Sequence, residues 1–198
     1  MELPTSSSRA ENTSSVPSHD RTPEVPLTLM NIIIVGAGIG GLALASLLGR
    51  SGHRVTILEA AHEIAEVGAG LTCSPNLTRL LKRWGFEGRI REHADLLTRI
   101  DLRRWEEGLL LGSAPLSPLV EQNHGSPQYV LHRADIHSVL LEAAKEVAQL
   151  RVNAMVTSID FQAPSVSLSD GTTIEADLVV GADGERNLFI STEDGHEY

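Results

Sequence analysis

A single cysteine, Cys73, stands among 198 residues. No disulfide framework can form inside the chain, and a reducing, cytoplasmic setting is expected. A lone thiol in this context reads as a small buried apolar side chain. Positive charge is also scarce: 16 Lys and Arg against 26 Asp and Glu leave a formal net charge of -10. That balance speaks against a nucleic-acid backbone or an anionic membrane surface as partner. It leaves a small anion open, because backbone dipoles act locally. His132 and His137 are five residues apart and do not share a helix face as ligands would, so no metal site is expected. The Gly-x-Ser-x-Gly turn of Ser-His-Asp hydrolases is missing, and no internal repeat is present.

Residues 1–26 are rich in Ser, Thr and Pro and poor in large apolar side chains. A segment of this kind buries too little surface to offset its ordering entropy, so residues 1–30 are expected to be a disordered leader. They have no apolar core of a secretory signal, and Glu2, Glu11, Asp20 and Glu24 are foreign to a mitochondrial transit peptide.

Between Pro26 and Arg50 there is no charged residue. A hydropathy window alone would take Leu27 to Leu48 for a membrane span. Gly36, Gly38, Gly40 and Gly41 oppose that reading, because they interrupt the middle of the run. The β-branched stretch Ile32-Ile33-Ile34-Val35 is instead a buried strand. Leu42 to Leu48 suit a short buried helix that Gly52 ends, and a second strand begins near His53. Strand, glycine turn, helix and strand make a parallel βαβ unit.

The turn carries Gly36-x-Gly38-x-x-Gly41. The first glycine permits a tight turn, the second lets a pyrophosphate approach the backbone, and the third lets helix and strand pack closely. The helix then points its N-terminal amides and positive dipole end at the phosphates. Glu59 follows at the end of the second strand, 18 residues after Gly41. A carboxylate there accepts hydrogen bonds from ribose hydroxyls and disfavours a 2′-phosphate. On these residues alone, FAD and NAD both remain open.

Downstream, Leu77, Leu80, Leu81 and Trp84 keep helical spacing between Ser74-Pro75 and Gly85. Thr98 to Leu116 read as two strands around a turn at Glu106-Glu107-Gly108. An amphipathic helix is expected from Arg133 through Leu150, with Asp135 in its first turn. Short strands follow, broken at Ala163-Pro164 and at Asp170-Gly171, the last of them Asp177 to Val180.

Four segments in order resemble the N-terminal part of class A flavoprotein monooxygenases of the salicylate hydroxylase-like group. They are the Gly36–Glu59 fingerprint, "VGAGLTCSPNLTRLLKRWG", "LHRADIHSVLLEAA" with Ile136 in a leucine position, and "DLVVGADG". The resemblance implies FAD as the dinucleotide and NAD(P)H as electron donor. It also implies a Rossmann-like α/β FAD-binding domain with added antiparallel strands. Glu59 would bind the FAD ribose, and the Gly68–Gly70 backbone would lie near the flavin. Arg133 would contact the cofactor, which suits a guanidinium facing phosphate or ribose. Asp183 and Gly184 would sit near the pyrophosphate, where the family also places the reduced nicotinamide. No residue is singled out as a catalytic acid or base.

The family's Asp-Gly motif usually continues with serine and then arginine, where this chain has Asn187 and Ile190. A Gly-Asp dipeptide, which the family uses for FAD later in its chain, occurs nowhere. The expectation is therefore an incomplete FAD-binding domain over residues 31–187, an irregular tail over 188–198, and a partner chain supplying the missing half. Three competing readings of the function remain. The first is oxygenation of an aromatic or secondary-metabolite small molecule with NAD(P)H and O2. The second is FAD binding without turnover by a truncated chain, and the third is NAD-dependent oxidoreduction.

Overall fold

The computed structural model describes residues 28–64 and 68–184. The tail expected over 188–198, and the leader expected over 1–30 apart from residues 28–30, lie outside the described residues. In chain order the elements begin with β1 (Asn31–Val35), α1 (Ile39–Arg50), β2 (Arg54–Leu58), β3 (Gly70–Cys73), α2 (Pro75–Arg83) and α3 (Glu87–Arg91). Next come β4 (Asp95–Leu96), β5 (Arg99–Arg103), β6 (Leu110–Pro115), α4 (Leu119–His124), β7 (Tyr129–His132) and α5 (Arg133–Lys145). The last are β8 (Gln149–Arg151), β9 (Val156–Asp160), β10 (Ser165–Leu168), β11 (Thr173–Glu175) and β12 (Leu178–Gly181).

A parallel sheet in the order β12-β1-β2-β8 forms the centre. Strand β1 is interior to it and buried on both faces, which is why it is a continuous apolar run rather than an alternating one. Successive side chains of a strand point to opposite faces. Ile32 and Ile34 accordingly pack in one core cluster with Leu42 and Ala45 of α1 and Ile136 and Leu140 of α5. Ile33 and Val35 join a second cluster with Val166 and Leu168 of β10. Strands β9–β11 form an antiparallel sheet over that second face. The result is three layers: helices, parallel sheet, and a small antiparallel sheet.

Helices α1 and α5 run in the same direction. His137 near the start of α5 bonds to Ala37 just before α1, and a side chain at Gly49 near the end of α1 would meet Val147 just past α5. Both helices therefore begin at the edge of the sheet where β1 ends. Two further antiparallel units lie in the long connection between β2 and β8. One is the sheet β3-β7-β4, and the other is the hairpin β5–β6, whose turn contains Gly108 at φ +69°.

This architecture matches the expected βαβ unit with added antiparallel strands. Among the elements expected from the sequence, one differs. The helix expected to reach Leu150 stops at Lys145, and Gln149–Arg151 instead form β8 along the edge of β2, with Leu150 opposite Ile57. Val147 and Leu150 keep the helical spacing, but a ladder on an exposed sheet edge overrides local propensity. Cys73 is fully buried, and burial pushes its thiol pKa up, as expected of an inert side chain.

Ile34 has no exposed surface. Truncation by Ile34→Ala is expected to lower the unfolding free energy by about 3 kcal/mol in a urea titration. A loss of under about 1 kcal/mol would contradict the central place given to β1.

Candidate functional site

From β1 the chain crosses through α1 to β2 on one side, while β12 pairs on the other. The end of β1 is thus a topological switch point, the place where open α/β sheets bind ligands beyond the strand ends. A cleft of about 720 Å³ lies there, large enough for a nucleotide-sized ligand. Five of the residues singled out in the sequence line it together: Gly36, Gly38, Glu59, Asp183 and Gly184.

The turn is pinned from both neighbours of β1. Gly36 N–H donates to the Leu58 carbonyl at 2.7 Å, and Ala182 N–H donates to the Val35 carbonyl at 2.7 Å. Gly36 has φ +107°, and a side chain there would collide with the Ala182 carbonyl. Only glycine tolerates both conditions at little cost. Gly38 is the N-cap of α1, and a Cβ built on it meets nothing within 4 Å. Space for a ligand therefore opens beside the first amides of α1, which have no intrahelical acceptors. Gly41 is not part of the cleft lining. A side chain at Gly41 would strike the Gly36 carbonyl, so its role is to let α1 close onto the turn.

Glu59 is half-buried, and its carboxylate is held by two backbone amides. Oε2 accepts from Ala37 N–H at 2.8 Å, and Oε1 accepts from Ala61 N–H at 2.9 Å. Each oxygen keeps a second lone pair, so the group can still accept from a diol. Its negative charge would repel a phosphate placed on the same diol.

The other three candidates form a separate group at the start of α5. Gly70 pairs with His132 across β3–β7, and Arg133 N–H donates to the Ala69 carbonyl at 3.0 Å. A Cβ at Gly68 would lie 2.7 Å from Arg133 Cβ, so this glycine makes room for the arginine stem. None of Gly68, Gly70 and Arg133 lines the cleft. His137, one helical turn beyond Arg133, joins the two groups through its Nε2 contact of 2.8 Å to the Ala37 carbonyl. His132 caps α5, its Nδ1 accepting from Ala134 N–H at 3.2 Å.

Ala154, Met155 and Val156 also line the cleft and were not singled out in the sequence. Backbone bonds from Asn153 N–H to the Ala61 carbonyl and from Ala154 N–H to the Glu59 carbonyl, both 2.8 Å, fix this wall. The one local signal was Asn153, a residue type tolerant of the positive φ of 52° that it adopts.

Residues 30–192 match the family model described as FAD binding domain. The 3-amino-4-hydroxybenzoate 2-monooxygenase PtmB3 of Streptomyces platensis is 37% identical over 155 residues, covering 77% of this chain and 39% of that protein. The 3-hydroxybenzoate 6-hydroxylase 1 of Aquipseudomonas alcaligenes is 35% identical over 161 residues, covering 78% of this chain and 40% of that protein. Among solved structures, Klebsiella pneumoniae HpxO complexed with FAD and uric acid aligns with a TM-score of 0.69 at 28% identity. It covers 79% of this chain and 40% of that one. The chain thus spans about two fifths of the length of the curated relatives it matches. It belongs to the FAD binding domain family.

The two inner glycines are expected to respond differently to substitution. Gly41→Val should lower the melting temperature by about 10 °C, whereas Gly38→Val should leave it within about 2 °C. Equal losses by thermal circular dichroism would contradict the division between packing at Gly41 and open space at Gly38.

Proposed function

We propose that this member of the FAD binding domain family holds FAD in the cleft at the end of β1, as the cofactor-binding portion of a class A flavoprotein monooxygenase. The substrate class is an aromatic or secondary-metabolite small molecule, hydroxylated or epoxidised with NAD(P)H and O2. The observation that carries the reading is the convergence of Gly36, Gly38, Glu59, Asp183 and Gly184 on one cleft at the switch point. The relatives named above, monooxygenases and a hydroxylase of hydroxybenzoates, support the reaction and the substrate class.

Each residue takes its role from its chemistry together with what the family resemblance implies. The first amides of α1 bind the pyrophosphate, and Gly38 leaves the room for it. Glu59 accepts the adenosine ribose hydroxyls and, by repulsion, keeps a 2′-phosphate out of this slot. Arg133 supplies a guanidinium to the cofactor from the start of α5, and the Gly68–Gly70 backbone runs beside the flavin end. Asp183 and Gly184 border the pyrophosphate side, where the reduced nicotinamide approaches. Bound FAD supplies hydride acceptance from NAD(P)H and the activation of oxygen, and the protein's part is to orient and shield it. The domain that does this is residues 31–187. An NAD-dependent oxidoreductase is disfavoured by the family match over residues 30–192.

A second reading is favoured by one observation. Hairpin β5–β6 exposes Ile100, Leu102, Trp105 and Leu111, Trp105 at 89% of its surface. Apolar patches of this kind mark contact surfaces. In that reading the chain binds FAD but turns over only when another polypeptide covers the hairpin and shields the flavin from water.

Incubation with FAD, removal of the excess and an absorbance spectrum test the cofactor. The wild-type chain is expected to retain flavin, and Glu59→Ala to bind it at least about tenfold more weakly. NAD(P)H oxidation with oxygen uptake by the loaded chain supports the monooxygenase reading, and retained flavin without oxidation supports the second. Equal retention by Glu59→Ala would contradict the ribose assignment.

A further inference from the structure

Ala37, between the first two glycines of the turn, has both of its backbone groups held. Its N–H donates to Glu59 Oε2, and its carbonyl lies 2.8 Å from His137 Nε2. A carbonyl oxygen only accepts, so Nε2 carries the proton. His137 is buried, with 8% of its surface exposed, and it reaches the turn from a different helix, 100 residues further along the chain.

The consequence lies in the next peptide group. In a trans peptide the C=O and the N–H lie in one rigid plane and point in opposite directions. Holding the Ala37 carbonyl against α5 therefore turns the Gly38 N–H away from α5, and Gly38 itself lines the cleft. Gly38 has no Cβ to restrict φ, so rotation of this peptide plane meets little steric resistance from the chain itself. The lock has to come from outside the turn.

We infer that His137 is a positioning residue that aims the Gly38 amide at the ligand's phosphates by clamping the Ala37 carbonyl. The phosphate part of this inference rests on the FAD reading above, whereas the clamp itself does not. Because Arg133 and His137 are one turn apart on α5, the same helix that carries the arginine also sets the orientation of the glycine turn.

The test compares wild type, His137→Leu and His137→Gln, the last of which returns an N–H donor at about the reach of Nε2. FAD affinity is read from flavin fluorescence, and the order of the Gly38 amide from ¹⁵N relaxation without FAD. His137→Leu is expected to weaken FAD binding about tenfold and to loosen Gly38, with His137→Gln restoring most of both. If His137→Leu does not fold, His137→Asn replaces it, since its shorter amide keeps polarity without reaching the carbonyl. A Gly38 amide as ordered in the leucine or asparagine variant as in wild type would overturn the inference, as would equal behaviour of glutamine and leucine. Failure of the wild-type chain to bind FAD would overturn the cofactor reading instead, and the relaxation data would still decide the clamp.

Discussion

A side chain at Gly41 would strike the carbonyl of Gly36, and the seating of α1 on the glycine turn depends on that close approach. It lets α1 begin directly above the end of β1, so the first helix amides face the space at Gly38. Gly36 can make the turn because φ of +107° costs glycine little, and because β2 and β12 each donate or accept one bond across it. A buried central strand fixes the turn from below. The sheet, the helix and the cleft are therefore one mechanical unit.

The electrostatics of the cleft are local rather than global. The chain carries a formal charge of -10, yet two parallel helices open at the same sheet edge. The N-terminal partial charge of α1, the helix that opens at the cleft, is positive and acts over about one turn. The Glu59 carboxylate is fixed in direction by two backbone amides. The result is a cleft with helix-start amides on one side and a carboxylate acceptor on the other.

The parts legible in the sequence are those where local pattern and tertiary need coincide. The run Ile32–Val35, the four glycines and the apolar helix behind them defined β1, the turn and α1, because a buried parallel strand must be apolar on both faces. Gly171 at φ +85° and the Asp170 carboxylate accepting from Thr172 N–H account for a turn that the Asp-Gly pair announced. The end of α5 was not legible, because Gln149–Arg151 become a strand only through pairing with β2, nearly 100 residues earlier. The Ala154–Val156 wall is likewise set by backbone bonds to Glu59 and Ala61, which leave no mark on side-chain pattern. His137 was weighed only as a metal ligand, and its bond to a backbone carbonyl has no signature in residue spacing.

The central claim is that the cleft at the end of β1 receives the adenosine diphosphate half of FAD. A ¹⁵N–¹H correlation titration of the apo chain with ADP tests it most directly. The account predicts the largest shifts at the amides of Ala37, Gly38, Glu59, Asp183 and Gly184, and weaker binding of an ADP analogue carrying a 2′-phosphate. Shifts centred on hairpin β5–β6, or equal affinity for the 2′-phosphorylated analogue, would contradict it.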